Sequence, residues 1–261
     1  MNYFKPFYSV LLTRPINQNN TLQKLIEGVG GEAIVLPTIT IQVLNHTNFN
    51  IQAYLKTTHL IIIISQNAVW ALSEEWISML KNYSHIPIVT MGAATTQAAQ
   101  ARGLSIAYTP LAGVTSEQLL EIDLLQAKNI YKKNILILTG ERGRDFLGHN
   151  LEGKGVCVKN IVLYKRTCPV YTPIQLQTAF QPWVQARAKK KFICITSQNG
   201  VENLLKIVCG FSISVKHIPV IVPSVRVQNF VKSQGFEHVE VAASARDEDM
   251  LEAIQEYKYY S

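Results

Sequence analysis

No apolar run in this sequence approaches the ~20 residues that a membrane-spanning helix needs, so no such span is expected. The longest, residues 60–64 and 34–41, have the length of buried strands. Residues 1–8 carry aromatics and Pro6 but no apolar core with a small-residue cleavage site, so no signal peptide is expected and a cytoplasmic location is. The four cysteines, Cys157, Cys168, Cys194 and Cys209, show no C-x-x-C spacing and read as buried, reduced thiols rather than disulfides or metal ligands. None of the six histidines forms an H-x-x-x-H pair, so no metal is expected. Charged residues are few, at 16%, and the net charge is +7, which suits an anionic partner. The dense basic run, Lys189-Lys190-Lys191, leads into an apolar strand without interleaved aromatics and reads as a solvated strand start, not a nucleic-acid patch.

What is present is a repeat. Ser65-Gln66-Asn67-Ala68-Val69 recurs as Ser197-Gln198-Asn199-Gly200-Val201, an offset of 197 − 65 = 132. The same offset relates Ile86-Pro87 to Ile218-Pro219 and Gly103 to Gly235. Upstream, Gly28 and Gly30 match Gly153 and Gly155 at an offset of 125. Collinear similarity of this kind marks a duplication. Each copy alternates short, nearly all-apolar Ile/Val runs with helical stretches, the pattern of parallel strands covered on both faces, and hence of a doubly wound α/β sheet. The glycines follow helical segments, where they cap the helix. A phosphate-binding glycine loop would instead follow a strand and open a helix. The repeat leaves open whether the two lobes are sequential, breaking near residue 128, or whether the first strand–helix–strand unit joins the C-terminal half.

Ligands of open parallel sheets gather at the carboxyl ends of strands, against helix N-termini. Both Ser-Gln-Asn motifs fall at such a junction, which makes Ser65, Gln66, Asn67, Ser197, Gln198 and Asn199 candidate anion binders as well as helix caps. Thr90-Met91-Gly92-Ala93-Ala94-Thr95 has the same form: Gly92 opens the backbone to a ligand and Thr95 offers a hydroxyl. The aligned positions in the second copy are Ser224 and Val227, so backbone contacts alone are expected there. Arg14, Arg142 and Arg144 follow strands and suit carboxylate or phosphate pairing. Thr115 and Ser116 sit on a loop leading into a helix, and Tyr164 ends a strand just before a presumed linker. No Ser/His/Asp set, paired carboxylates or cofactor fingerprint appears.

At these same residues the chain resembles the uroporphyrinogen-III synthase family, over nearly its whole length. The resemblance rests on Thr13-Arg14-Pro15, Ser65-Gln66-Asn67-Ala68-Val69, Gly92-Ala93-Ala94-Thr95, Gly113-Val114-Thr115-Ser116-Glu117-Gln118-Leu119, Thr139-Gly140-Glu141-Arg142-Gly143-Arg144, Tyr164 and Thr196-Ser197-Gln198-Asn199-Gly200-Val201. It is the order and spacing of these motifs that is specific. Thr139 stands where the family usually has arginine, and Ser224 and Val227 replace its second glycine and threonine.

The resemblance implies two similar flavodoxin-like lobes with a ligand cleft between them. One is discontinuous, 1–36 with 172–261; the other is 37–171; a two-stranded crossover linker near 37–42 and 165–171 joins them. It implies a lyase without metal or organic cofactor that closes hydroxymethylbilane, a small-molecule polycarboxylate, to uroporphyrinogen III with its last ring inverted, in haem biosynthesis. Tyr164 is then the candidate catalytic residue. Arg14, Ser65, Gln66, Asn67, Gly92, Thr95, Thr115, Ser116, Arg144, Ser197, Gln198, Asn199 and Ser224 are the candidate substrate binders. A monomer that binds neither nucleic acid nor membrane is expected. The alternative is a non-catalytic two-lobed binding protein for an anionic small molecule.

Overall fold

A computed structural model describes residues 7–45, 50–109, 116–141, 146–185, 190–209 and 215–258. Its ten strands are β1 (Tyr8–Leu12), β2 (Glu32–Val35), β3 (Thr40–Val43), β4 (Leu60–Ile63), β5 (Ile88–Thr90), β6 (Asn134–Gly140), β7 (Cys157–Thr167), β8 (Lys190–Cys194), β9 (Val220–Val222) and β10 (Val239–Val241). They form two five-stranded sheets, in the orders β10-β9-β8-β1-β2 and β3-β7-β6-β4-β5. The chain divides into two compact units, 1–40 with 167–261 and 41–166, each holding one sheet. The first sheet is parallel throughout, and so are β5, β4, β6 and β7 of the second. The fold is the α/β arrangement expected from the alternating apolar runs.

β1, β4, β5 and β9 are buried at every position, covered on both faces, which is why their sequences are almost wholly apolar. Successive side chains point to opposite sides of a sheet. In the second unit Ile61, Ile63, Leu136, Leu138, Ile161 and Leu163 pack on one face with Val69, Trp76 and Leu80 from helices Gln66–Ala71 and Glu74–Asn82. Leu60, Ile62, Val89, Ile135 and Ile137 pack on the other with Leu147 and Leu151 from helix Phe146–Gly153. The first unit repeats the scheme. Leu11, Ile193, Val220 and Val222 meet Phe180, Trp183, Val201 and Leu204, while Val10, Leu12, Phe192 and Ile221 meet Leu22, Ile26, Met250 and Ile254.

The duplication reappears as strand register. Leu12 pairs with Cys194 and Ile137 with Ile62, and the sequence offsets agree: 137 − 12 = 125 and 194 − 62 = 132. Leu12 pairs with Val35 as Ile137 pairs with Asn160, and Cys194 pairs with Ile221 as Ile62 pairs with Val89. Even the isolated bridge Val89–Tyr108 has its counterpart in Ile221–Glu240. Both offsets are therefore satisfied at once by one pairing scheme, used twice.

Four local expectations change. Residues 34–41 are not one buried strand: β2 ends at Val35, β3 begins at Thr40, and Pro37, which has no N–H to donate, lies between them. The expected crossover segments are partly strand, since β3 pairs beside β7 and β7 runs on to Thr167. Of the four free thiols only Cys194 is buried; Cys157 opens β7 and Cys209 follows helix Gln198–Val208, and both are exposed, with Cys168 between these extremes. Lys190 and Lys191 are half-buried rather than solvated, with their ammonium groups 5.3 Å from the Phe7 ring centroid and 5.8 Å from that of Trp183. Burial pushes the Lys191 ammonium below its ordinary range. Among the described residues, no helix is long and apolar enough to cross a membrane, and no cluster of three or more His, Cys, Asp or Glu is arranged to hold a metal ion.

Candidate functional site

The carboxyl edge of the second sheet gathers Ser65, Gln66, Asn67, Gly92, Thr95 and Tyr164 from neighbouring strands. Ser65 follows β4 and caps helix Gln66–Ala71, its Oγ accepting from Ala68 N at 3.2 Å. Gln66 and Asn67 form the first turn, half-buried. One strand over, Gly92 caps helix Ala93–Ala101 at φ 105°, a conformation open to glycine and strained for other residues. Nothing lies within 4 Å of where its Cβ would stand, so the backbone there faces open space. Thr95 is 4% exposed, and its hydroxyl has no side-chain hydrogen-bond partner among the described residues. The turn is held by a threonine set that sequence reasoning missed: Thr96 Oγ1 lies 3.0 Å from Thr109 Oγ1, 3.3 Å from Gly92 O and 2.5 Å from Thr90 Oγ1.

Tyr164 reaches this edge through a register shift. β6 and β7 pair Leu138 with Ile161 and Thr139 with Val162, but Gly140 with Tyr164, leaving Leu163 as an extra residue. Such a bulge re-aims the side chains beyond it. Tyr164 thereby joins Ile161 and Leu163 in the same core cluster and is only 3% exposed. Its ring lies flat against Gly140: a Cβ there would stand 2.4 Å from Cζ. The phenol oxygen is 2.9 Å from Ser65 Oγ. Arg166, two residues on and so on the same face of the strand, places its guanidinium 5.8 Å from the ring centroid and donates from Nη2 to the phenol oxygen at 3.4 Å. The alternation of Tyr164 and Arg166 was the available signal for this partner.

The first unit has an edge of the same construction. Ser197 caps helix Gln198–Val208 with the backbone angles of Ser65, and its Oγ accepts from Gly200 N at 3.1 Å. Gln198 is half-buried and Asn199 exposed. Ser224, standing where the other unit has Gly92, is extended at φ −166° and accepts from Val227 N at 3.5 Å. Ser224 thus caps its helix through its side chain, whereas at the equivalent place in the other unit Thr95 N donates to the Gly92 carbonyl at 3.1 Å. Arg14 donates from Nη1 to Asp247 Oδ1 and from Nη2 to Ala245 O at 2.9 Å. Its side chain is 12% exposed. Asp247 lies in the first turn of helix Asp247–Glu256, beside Asp249, whose carboxylate is held below its ordinary range by hydrogen bonds from Arg246 and Ser244. No sequence signal links Arg14 to a partner 233 residues away. Behind β1 the Cys194 thiol is pushed up to about 12 by burial, too high to act as a nucleophile near neutral pH.

The remaining expectations stand apart. Ser116 opens the short helix Ser116–Leu119. Thr115, Arg142 and Arg144 lie outside the described residues. A cavity of about 820 Å³ in the second unit, between Asn50, Trp70, Trp76 and Leu163, includes none of the expected residues. At offset 125 Thr139 occupies the place of Arg14, so one edge has a guanidinium where the other has a hydroxyl.

Known proteins agree on one family. The family model described as uroporphyrinogen-III synthase HemD matches residues 20–252. A uroporphyrinogen-III synthase of Proteus mirabilis is 30% identical over 168 residues, 60% of this chain and 80% of that protein. One of Escherichia coli K12 is 26% identical over 254 residues, 95% of this chain and all of that protein. Among solved structures, the uroporphyrinogen-III synthetase of Helicobacter pylori superposes with a TM-score of 0.65 at 15% identity, covering 95% of this chain and 98% of that one. A mutant uroporphyrinogen III synthase of Thermus thermophilus gives 0.55 at 12% identity, covering 95% and 97%.

Proposed function

The chain belongs to the uroporphyrinogen-III synthase family, and on that footing we propose that it closes hydroxymethylbilane to uroporphyrinogen III with loss of water and inversion of the last pyrrole ring. The observation that carries the reading is the pairing of the Tyr164 phenol with Ser65 at a sheet edge where Gly92 leaves the backbone open. The bilane is an open chain of four pyrroles that loses its hydroxyl and closes unaided to the uninverted isomer. The protein's task is therefore steering more than acceleration. Holding reacting groups in one geometry supplies ~7–11 kcal/mol in favourable intramolecular cases, without any strong base.

The residues divide into two roles. The substrate takes the hydrogen-bond donors of each edge: Ser65, Gln66, Asn67, Gly92 and Thr95 in one unit, Arg14, Ser197, Gln198, Asn199 and Ser224 in the other, with Thr115, Ser116 and Arg144 assigned to the same task. Arg14 keeps further N–H groups beyond those spent on Asp247 and Ala245, and its fork is already oriented. Tyr164, paired with Ser65, is the acid source from which the hydroxyl takes the proton it needs to leave as water. No metal or organic cofactor enters the scheme, and the protein acts as a cytoplasmic monomer.

The test is to incubate purified protein with freshly made hydroxymethylbilane, oxidise the products and separate the porphyrin isomers. Isomer III as the main product supports the reading. Tight binding of the bilane with isomer I alone, at the rate of a buffer blank, would favour the non-catalytic binding protein.

A further inference from the structure

The geometry points to Ser65, not Tyr164, as the group that hands the proton to the departing hydroxyl, with Tyr164 standing behind it as the second link of a relay. This rests on the synthase reading above. The argument is one of hydrogen-bond capacity. A guanidinium only donates, so Arg166 Nη2 takes a lone pair of the Tyr164 oxygen. The backbone N–H of Ala68 likewise takes a lone pair of Ser65 Oγ. One hydrogen then lies between the two hydroxyls, 2.9 Å apart. If Ser65 donates it, the phenol's own hydrogen is left without an acceptor on a residue that is 3% exposed. A buried donor without an acceptor is costly, because it has given up its hydrogen bond to water for nothing. If Tyr164 donates it, every hydrogen of the set is placed and the Ser65 hydrogen is turned outward.

Outward is where the site is. Ser65 is half-buried at the carboxyl edge, one strand from Gly92, whereas Tyr164 lies in the core with its ring on Gly140. The step balances. The C–O bond of the hydroxymethyl group breaks with its electron pair on oxygen, which leaves as water carrying the Ser65 proton. The phenolic proton moves to Ser65 Oγ, and the phenolate formed faces the Arg166 guanidinium. When the macrocycle closes, the proton lost from the pyrrole carbon that forms the new bond restores the phenol. In the first unit the corresponding stretch is Thr38-Ile39, with no tyrosine, so Ser197 keeps the cap without a second link. The relay belongs to one unit only.

The test is single-turnover formation of isomer III by wild type, Ser65→Ala, Tyr164→Phe and the double variant, in water and in deuterium oxide. Ser65→Gly accompanies them because glycine retains most of the helix capping that alanine loses. Ser73→Ala, which removes the cap of the next helix, keeps wild-type turnover. The relay predicts that Ser65→Ala, Ser65→Gly and Tyr164→Phe each lose on the order of 10²-fold, the low end for a positioned acid. It also predicts that the double variant loses no more than either single, and that the solvent isotope effect falls in all of them. Ser65→Gly within twofold of wild type, or single losses that multiply in the double variant, overturns the relay while leaving the synthase reading in place. Wild-type protein that yields isomer I at the blank rate overturns the reading and the relay together.

Discussion

Gly140→Ala perturbs the site through a single methyl group. The added Cβ would stand 2.4 Å from Tyr164 Cζ and 2.8 Å from both Cε atoms, so the ring must retreat by about 1 Å to reach ordinary carbon–carbon separation. The backbone permits alanine there, since Gly140 is not among the glycines with positive φ. The ring has little room, being buried and tied at its oxygen to Ser65 and Arg166. A retreat of that size takes the phenol out of hydrogen-bond reach of Ser65. Overpacking and the lost hydrogen bond together cost about 2–4 kcal/mol. Urea unfolding measures this, and a cycle with Tyr164→Ala isolates it, because without the ring the same substitution costs under about 0.5 kcal/mol. Turnover of Gly140→Ala falls as far as that of Tyr164→Phe. An equal stability loss in both backgrounds, or full stability with full turnover, would refute the reasoning.

Two further predictions concern titratable groups. In native protein near neutral pH a disulfide reagent modifies exposed Cys157 and Cys209 rapidly and Cys168 more slowly, while Cys194 reacts only on unfolding; rapid modification of Cys194, located by peptide mapping, contradicts this. The Asp249 carboxylate titrates below its ordinary range because Arg246 and Ser244 hydrogen-bond its charged form, so its contribution is present above the unfolded pKa of about 3.9 and is lost as pH falls through the lower folded value. Asp249→Asn is accordingly less stable than wild type at neutral pH, and the gap closes in acid; a gap independent of pH in urea unfolding contradicts the assignment.

The fold was legible because its determinants are local. Strands covered on both faces must be apolar at every position, so β4 and the 192–194 part of β8 announce themselves, and the offsets of 125 and 132 carry the pairing register of both sheets. The serine caps were legible for the same reason: Ser65 and Ser197 bond to an N–H three residues away. What escaped is long-range. The bulge that turns Tyr164 toward Ser65 exists only in the pairing of β6 with β7, and Asp247 meets Arg14 only after the C-terminal helix has packed. Likewise Lys190 and Lys191 find their aromatic partners in Phe7 and Trp183, which the basic run itself does not contain.

The divergence of the two copies is informative in the same way. Ser224 stands where the other copy has a glycine and caps its helix, and Thr139 holds the sequence position that Arg14 has in its own copy, so each edge has a group that the other does not. The phenol, its serine partner and the Gly92 turn with open space beside it all lie in the second unit. This concentrates the proposed proton transfer there and leaves to the first unit the proposed carboxylate binding through Arg14 and Ser197.

The most direct measurement follows the ratio of isomer III to isomer I from a fixed amount of hydroxymethylbilane as the protein concentration is raised. Uncatalysed closure to isomer I is constant under these conditions. The account predicts a ratio that rises in proportion to protein, with Tyr164→Phe giving a much shallower line. A ratio that stays at the blank value across the titration would contradict it.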